Sequence, residues 1–252
     1  MHDNAQPGEN RVEAMTWPQV AARIRQGAAA VLPVGAAAKE HGPHLPLATD
    51  AIQAVYFAEQ LASRHDLLIW PVVSYGYYPA FTDYPGSTSI GEPTFRAMVG
   101  QLISNIEQAG VARLIILNTG ISTIAPLRRV LEHHHGASRV GLLNSYSGAQ
   151  FCRLEAELTE QSFGGHADEV ETSLMLAIAP DQVDMSAAVA AENHIRRGRF
   201  NRRDSAASNY SPSGVNGDAT KATAAKGEQL LEALLSDLEQ EIAEFLDTAS
   251  HG

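Results

Sequence analysis

The sequence predicts a single α/β domain in which a mostly parallel sheet is sandwiched between helices. Short apolar segments alternate with amphipathic helical segments, which is the pattern of folds built on a parallel sheet. Residues 114–117 form a continuous apolar run, as expected of a parallel strand that is buried on both faces. The length of 252 residues is large for one domain, but α/β folds reach this size as a single unit.

Caps, apolar spacing and stop residues place the elements in the first part of the chain. Thr16 supplies a capping hydroxyl, and Pro18 suits the first turn of a helix. Apolar runs between the helices are expected to be buried strands. In chain order, we predict a helix over residues 16–26, a strand over 30–34 that ends at Gly35, a helix over 50–64 that begins at Asp50, and a strand over 67–73.

The second part continues the alternation after a long loop, residues 75–91, that is rich in Gly, Pro and Tyr. Long loops in compact domains are usually functional or disordered. In chain order, we predict a helix from residue 92 to a stop at Gly110, the strand over 114–117, a helix that ends at 131, a strand over 140–143, helices over 149–160 and 168–179, and a closing helix over 225–246.

The composition argues against several classes of protein. A net charge of −11, from 18 basic and 29 acidic residues, argues against binding to nucleic acid or to anionic membranes. The one cysteine, Cys152, cannot form an intrachain disulfide. No apolar run approaches the length of a membrane span, and residues 1–10 have no signal-peptide core. We therefore expect a cytoplasmic protein, with residues 15–247 as one domain between flexible tails at 1–14 and 248–252.

Two histidines and two carboxylates lie in the Gly- and Pro-containing segment of residues 39–50, between a predicted strand and a predicted helix. Imidazole and carboxylate are the ligands of catalytic zinc or manganese sites, and α/β folds place their chemistry in loops at strand ends. Asp50 alone is also explained as a helix cap, and His41 as a loop residue bonded to backbone. The set of Glu40, His41, His44 and Asp50 exceeds what a cap needs, so we favour a metal site.

A second cluster, His166, Asp168, Glu169 and Glu171, follows a pair of glycines. Acidic residues in the first turn complement the helix dipole, which explains Asp168 and Glu169. Glu171 falls on the apolar side of the predicted helix, where a carboxylate must be paired, protonated or bound to metal. We therefore assign Glu171 to the site, although a buried arginine partner would also satisfy it.

Other conspicuous segments have simpler explanations. The tract of three histidines at 133–135 lies where a helix is expected to end, and cationic side chains suit that position. The arginine-rich stretch 196–203 is interpreted as a solvated loop, with an anionic substrate or a neighbouring subunit as the alternative. The aromatic residues of loop 75–91 are expected to line a pocket or to pack beneath the loop.

Several motifs make residues 15–245 similar to the creatininase (creatinine amidohydrolase) family. They are Met-Thr-Trp-Pro at 15–18, Leu-Pro-Val-Gly at 32–35, His-Gly-Pro-His-Leu-Pro-Leu at 41–47, Thr-Asp at 49–50, Tyr-Pro-Gly-Ser-Thr-Ser at 84–89, the His166, Glu169, Glu171 series, and residues 214–223. The resemblance implies a three-layer α/β/α sandwich, often hexameric, with a metal site at the strand ends. It also implies hydrolysis of an amide or cyclic amide C–N bond.

The resemblance further implies two divalent ions bridged by Asp50, with His41 as a ligand. Family members normally have a glutamate two residues before that histidine, but this chain has Lys39 there. The segment is also one residue longer, so Glu40 is a candidate replacement.

A second departure follows the strand at 114–117. The family usually has Asn-Gly-His-x-x-Asn or a His-x-Glu version at this place, whereas residues 118–123 are Asn-Thr-Gly-Ile-Ser-Thr. We therefore expect a divergent branch of the family with one or two ions per chain. Asp168 is a candidate to compensate for the missing ligands.

These observations predict a metal-dependent amidohydrolase that cleaves a small-molecule amide through a metal-activated water. We expect zinc or manganese, with iron as an alternative, and a homo-oligomer. The predicted metal ligands are Glu40, His41, Asp50, Asp168 and Glu169. The predicted catalytic residues are His166, as general acid/base, and Glu171, which orients it. The predicted substrate contacts are His44, Tyr78, Ser122 and Thr123.

The sequence is also compatible with two other functions. The same site could support metal-assisted lyase or isomerase chemistry, since a Lewis acid beside a base does not fix the reaction. The chain could also be a non-catalytic binding or scaffold member that has lost its second ligand motif. A structure in which Lys39 occupies a metal position within a salt bridge would favour the scaffold.

Overall fold

The computed structural model describes residues 9–191 and 211–247, and it has the predicted α/β architecture. A four-stranded parallel sheet with the order β2-β1-β3-β4 forms the centre, and helices cover both of its faces. The elements are α1 (Trp17–Arg25), β1 (Ala29–Val34), α2 (Thr49–Ala62), β2 (Leu67–Ile69), α3 (Glu92–Gln108), β3 (Arg113–Asn118), α4 (Ile121–Glu132), β4 (Arg139–Asn144), α5 (Ala149–Leu158), α6 (Glu169–Ile178), β5 (Ala190–Ala191), β6 (Gly217–Asp218) and α7 (Ala224–Asp247).

Alternate residues of the central strands enter two separate cores, which is why the fold has three layers. On one face, Val31 and Ile115 pack with Phe57 of α2 and with leucines of α7. On the other, Leu32 and Ile116 pack with apolar residues of α3 and α4. Because both faces are covered, β1 and β3 are apolar along nearly their whole length, and that composition is what predicted them.

The structure corrects several details of the prediction. Asp50 does not cap α2, because the helix already begins at Thr49 and Ala48 occupies the cap position. The second strand ends at Ile69, and only an isolated bridge joins Val73 to Val34. The antiparallel pair of β5 and β6 was not predicted, since two-residue strands leave no periodic pattern.

The chain termini are only partly described. Within the predicted N-terminal tail, the Asn10 carbonyl accepts a hydrogen bond of 2.8 Å from the Ile69 amide, so this part is attached to the edge of the sheet. The predicted C-terminal tail, 248–252, and the arginine-rich stretch, 196–203, lie outside the described residues. Within the described residues, no helix is long and apolar enough to cross a membrane.

The carboxyl ends of β1 and β3 lie side by side, with Val34 paired with Asn118. Gly35 follows β1 at a point where the chain must pass close to the start of α2, since a Cβ at this position would overlap the Asp50 carbonyl. The loop after β1 and the start of α2 therefore meet at this end of the sheet, and Thr172 of α6 contacts His44 of the same loop. The predicted site residues lie there.

Candidate active site

His41 is fully buried in the loop after β1, and its two ring nitrogens have different partners. Nδ1 lies 2.8 Å from the Lys39 carbonyl, so we assign the ring proton to Nδ1. Nε2 then carries a lone pair, which faces Asp50 Oδ1 at 3.1 Å and Glu171 Oε1 at 3.6 Å. Acceptors this close to one another repel, so the arrangement favours a cation among them.

His166 is held in the complementary way by Glu40. Its Nε2 lies 2.9 Å from the Glu40 carbonyl and 3.1 Å from Glu40 Oε2, while Nδ1 faces Glu171 Oε2 at 3.8 Å. Burial lowers the pKa of His166, but the hydrogen bond and the charge of Glu40 outweigh it, so the pKa is raised. Because Glu40 engages Nε2 of His166, Nδ1 is the ring nitrogen that faces Glu171.

These two imidazoles and Glu171 form one compact donor cluster. One ligand atom from each of His41, His166 and Glu171 lies within 4.8 Å of the other two, and among the residues that the structure describes this is the one such group found. The ring centres of the histidines are 5.0 Å apart. Two nitrogens and a carboxylate at this spacing are a chemically suitable set for a divalent ion.

Lys39 projects into the same region and pairs with Asp50. Its Nζ lies 2.6 Å from Asp50 Oδ2 and 5.1 Å from the centre of the Phe81 ring. Burial lowers the pKa of Lys39, but the carboxylates of Asp50, Glu171 and Glu40 outweigh it and raise the pKa above its ordinary value. Burial likewise acts to raise the pKa of Asp50, but the charge of Lys39 reverses this, so that the pKa is strongly lowered.

Glu40 lies beside the cluster as the partner of His166. One carboxylate oxygen accepts the His166 hydrogen bond and the other accepts a short bond from the Gly42 amide. Burial acts to raise the pKa of Glu40, but the bond to His166 outweighs it and the pKa is lowered. The predicted metal ligand Glu40 thus lies against His166, and Lys39 is the residue that faces Asp50.

The structure gives Asp168 and Glu169 other partners than a metal. Asp168 caps α6 and accepts four hydrogen bonds, from the amides of Gly165, Val170 and Glu171 and from Gln161 Nε2. Glu169 is buried, accepts bonds from two backbone amides and pairs with Lys226 at 2.5 Å. Neither of these two predicted ligands belongs to the cluster of His41, His166 and Glu171.

An open cleft of about 500 Å³ reaches the cluster. It is bordered by Lys39, Asp50, Phe81, Ser122, Tyr146, His166 and Glu171, among other residues. Ser122 is the one predicted substrate contact on this cleft. Phe81 belongs to the aromatic loop 75–91 that was expected to line a pocket, and Lys39 was considered as an occupant of a metal position. Tyr146 was not predicted, because nothing in the local sequence distinguishes it.

The other predicted substrate contacts are engaged elsewhere. The Tyr78 hydroxyl donates to the Thr88 carbonyl at 2.7 Å, and burial raises the pKa of Tyr78 to about 12. The Thr123 hydroxyl donates to Asn118 Oδ1 at 2.6 Å. His44 is buried with its Nε2 2.8 Å from the Thr172 hydroxyl. Tyr78 and Thr123 border only a small adjoining cavity of about 20 Å³, which Lys39 and Asp50 also border.

The family model described as creatinine amidohydrolase matches residues 13–242 of the chain. A 3-dehydro-scyllo-inosose hydrolase of Thermotoga maritima is 27% identical over 93% of this chain and 83% of its own length. A creatinine amidohydrolase of Pseudomonas putida is 27% identical over 71% and 75%, and a mycofactocin precursor peptide peptidase of Mycolicibacterium smegmatis is 27% identical over 82% and 81%.

Solved structures agree with this match. A manganese creatininase superposes with a TM-score of 0.79 at 25% identity, covering 94% of this chain and 98% of its own. A creatininase variant of the Zn–Zn type superposes with a TM-score of 0.78 at 26% identity, covering 93% and 98%. The similarity therefore extends over nearly the whole fold.

Proposed function

The chain belongs to the creatininase family of metal-dependent amidohydrolases, and we propose that it cleaves an amide C–N bond with one divalent ion held by His41, His166 and Glu171. The observation that carries this proposal is the pair of oriented imidazoles. The Lys39 carbonyl and Glu40 each accept a ring N–H, which leaves one lone pair on each histidine facing the Glu171 carboxylate. Such partners are what orients histidine ligands in metal sites.

When bound, the ion would polarise the scissile carbonyl and lower the pKa of the attacking water. Asp50 Oδ1 lies beside the cluster, where it can accept a hydrogen bond from that water. Lys39 and Ser122 border the cleft and can donate hydrogen bonds to the substrate. Zinc and manganese suit the donor set, and two histidines with a carboxylate also suit iron(II).

His166 has a changed role in this proposal. The sequence predicts it as the general acid/base, whereas the geometry favours a ligand, because Glu40 holds Nε2 and Nδ1 faces the other donors. Metal analysis of His166→Ala distinguishes the two. We expect this variant, like His41→Ala, to lose the ion. Retained metal with lost turnover would return His166 to proton transfer.

The reaction class is tested with labelled water and a panel of lactams, cyclic ureas, formamides and short peptides. The relatives named above do not share one substrate, so a panel is needed. We expect product that carries one solvent-derived oxygen. Product without label would indicate a lyase or an isomerase, and a protein that binds neither metal nor substrate would be a scaffold member.

His133→Ala is the matched control for the histidine variants. His133 is exposed just beyond α4, where its Nδ1 lies 2.7 Å from the Arg129 carbonyl oxygen. It belongs to the three-histidine tract and lies outside the cluster. We expect unchanged metal content and turnover.

The assembly and the location are also proposals. We propose a homo-oligomer, a hexamer by the family resemblance, which light scattering on the purified protein would test. We propose a cytoplasmic location, which the single cysteine supports because the fold requires no oxidising compartment. Fractionation of the source cells would test it.

A further inference from the structure

Lys39 is a buried lysine whose ammonium points into the active-site region. Only 8% of the residue is exposed. Lysine is rarely buried to this extent unless it is paired. Its pair is Asp50, itself 2% exposed, with 2.6 Å between Lys39 Nζ and Asp50 Oδ2.

The two carboxylate oxygens of Asp50 therefore face two different positions that suit a positive charge. Oδ1 faces His41 Nε2 and the donor cluster, whereas Oδ2 faces Lys39 Nζ. A carboxylate that bridges two cations has this arrangement. In this chain one of the two cations is supplied by the protein.

On the side of Asp50 that faces Lys39, the segment after β3 lacks the side chains that usually bind metal ions. In the described residues 118–123, which border this side, there is no histidine, cysteine or acidic residue. The polar groups there bond to each other: Thr123 donates to Asn118 Oδ1, and Asn118 Nδ2 donates to the Gly120 carbonyl and to Asn144 Oδ1. The adjoining cavity of about 20 Å³ is closed by neutral groups apart from Lys39 and Asp50.

Charge balance explains why a lysine can stand at this place. A carboxylate together with a divalent ion carries one net positive charge, and so does a single ammonium group. A glutamate and its ion can therefore be exchanged for lysine without changing the charge that Asp50 experiences. A creatininase of the Zn–Zn type superposes on this fold, so a two-ion arrangement exists in the same architecture.

We propose that the Lys39 ammonium takes the place of a second metal ion, so that each chain holds one ion at His41, His166 and Glu171 and uses its own lysine as the other cation. This inference rests on the proposed function. It differs from it by fixing the number of ions and by giving a role to Lys39, which is the lysine that pairs with Asp50 among the described residues.

The test is the number of ions bound per chain. Chelator-stripped protein is titrated with zinc and separately with manganese by calorimetry, and elemental analysis follows after gel filtration. We expect the wild type to saturate with one ion. We expect Lys39→Glu, which places a second carboxylate beside Asp50, to bind two, a doubling of the stoichiometry. Lys39→Arg, the matched control that keeps the charge, should bind one.

Each outcome separates this inference from the proposed function. Two ions in the wild type would overturn the role of Lys39 and leave the hydrolase proposal intact. No ion in the wild type would overturn both. If Lys39→Glu folds and still binds one ion, the missing ligands and not the ammonium exclude a second ion, and the role given to Lys39 is overturned. If that variant does not fold, the stoichiometry of the wild type and of Lys39→Arg still decides.

Discussion

Replacing Lys39 by methionine should destabilise the metal-free protein by about 4 kcal/mol at pH 7, which is a large effect for one substitution. Methionine keeps an unbranched chain of similar length and removes the charge, so the main loss is the ion pair with Asp50. At 2.6 Å between Nζ and Oδ2, the attraction is about 6 kcal/mol with an effective dielectric constant of about 20.

The net loss is smaller than this attraction because Asp50 can take up a proton once its partner is gone. Neutralising an aspartate at pH 7 costs about 4 kcal/mol, since its ordinary pKa is about 3 units lower. This limit falls within the 3–5 kcal/mol typical of a broken buried ion pair. Proton uptake therefore sets the magnitude.

The same reasoning fixes the pH dependence. Without Lys39, burial raises the pKa of Asp50 in the folded state above that in the unfolded state. A raised pKa means that the folded state binds the extra proton, so stability is lost as the pH rises. The cost of Lys39→Met should therefore shrink to about 1.5 kcal/mol near pH 5.

Urea unfolding, followed by circular dichroism after removal of metal by a chelator, measures this difference. Arg64→Met is the control, because the Arg64–Glu239 pair is exposed, with 51% and 37% of the side chains accessible. Exposed pairs contribute about 1 kcal/mol or less. The double variant Lys39→Met, Asp50→Asn should recover much of the loss, since it removes the unpaired charge.

A cost of Lys39→Met no greater than that of Arg64→Met would refute the reasoning. So would a cost that does not change between pH 7 and pH 5, because the argument depends on protonation of Asp50. The double variant guards against a packing effect. If it were as unstable as the single variant, the loss would come from the shape of the side chain and not from its charge.

Three further predictions concern the residues that support the cluster. Asp168→Ala should cost about 2 kcal/mol in urea unfolding, because it removes the cap of α6, whereas Asp168→Asn should retain part of it. Thr172→Val should cost about 1–3 kcal/mol, because His44 Nδ1 already lacks a partner and Nε2 would lose its own; Thr172→Ser should be near wild type. Gly214→Ala should lower the pKa of His166 in the metal-free protein, because a Cβ at position 214 would displace the Glu40 carboxylate that raises this pKa. Imidazole NMR measures the pKa, and an unchanged value would contradict the prediction.

The layers of the fold could be predicted from the sequence because each layer has a strong local pattern. The buried strands β1 and β3 are continuous apolar runs, and the helices carry apolar residues at helical spacing. The start of α2 could not be predicted in the same way. An aspartate before an apolar helix normally indicates a cap, but tertiary contacts with Lys39 and His41 engage Asp50 instead.

Some of the predicted site residues lie together in the structure, and others have partners elsewhere. His41, His166 and Glu171 were all identified, and the structure brings them together. Asp168 and Glu169, which were predicted as ligands, lie outside this group: Asp168 caps α6 and Glu169 pairs with Lys226. Lys226 is distant in sequence from Glu169, so no local sequence pattern predicts the contact between them.

The ion pair at Lys39 is the feature that would favour a scaffold member, and the rest of the site opposes that conclusion. A salt bridge that abolished metal binding would satisfy all of the acceptors it touches. Here Lys39 satisfies Asp50 Oδ2, but Asp50 Oδ1 and Glu171 Oε1 still face the His41 lone pair at 3.1 Å and 3.6 Å. A fold that had discarded its metal would gain stability by replacing one of these buried acceptors with an apolar or donating group. Because all of them are present and oriented, we infer that Lys39 takes one cation position and leaves the other for an ion.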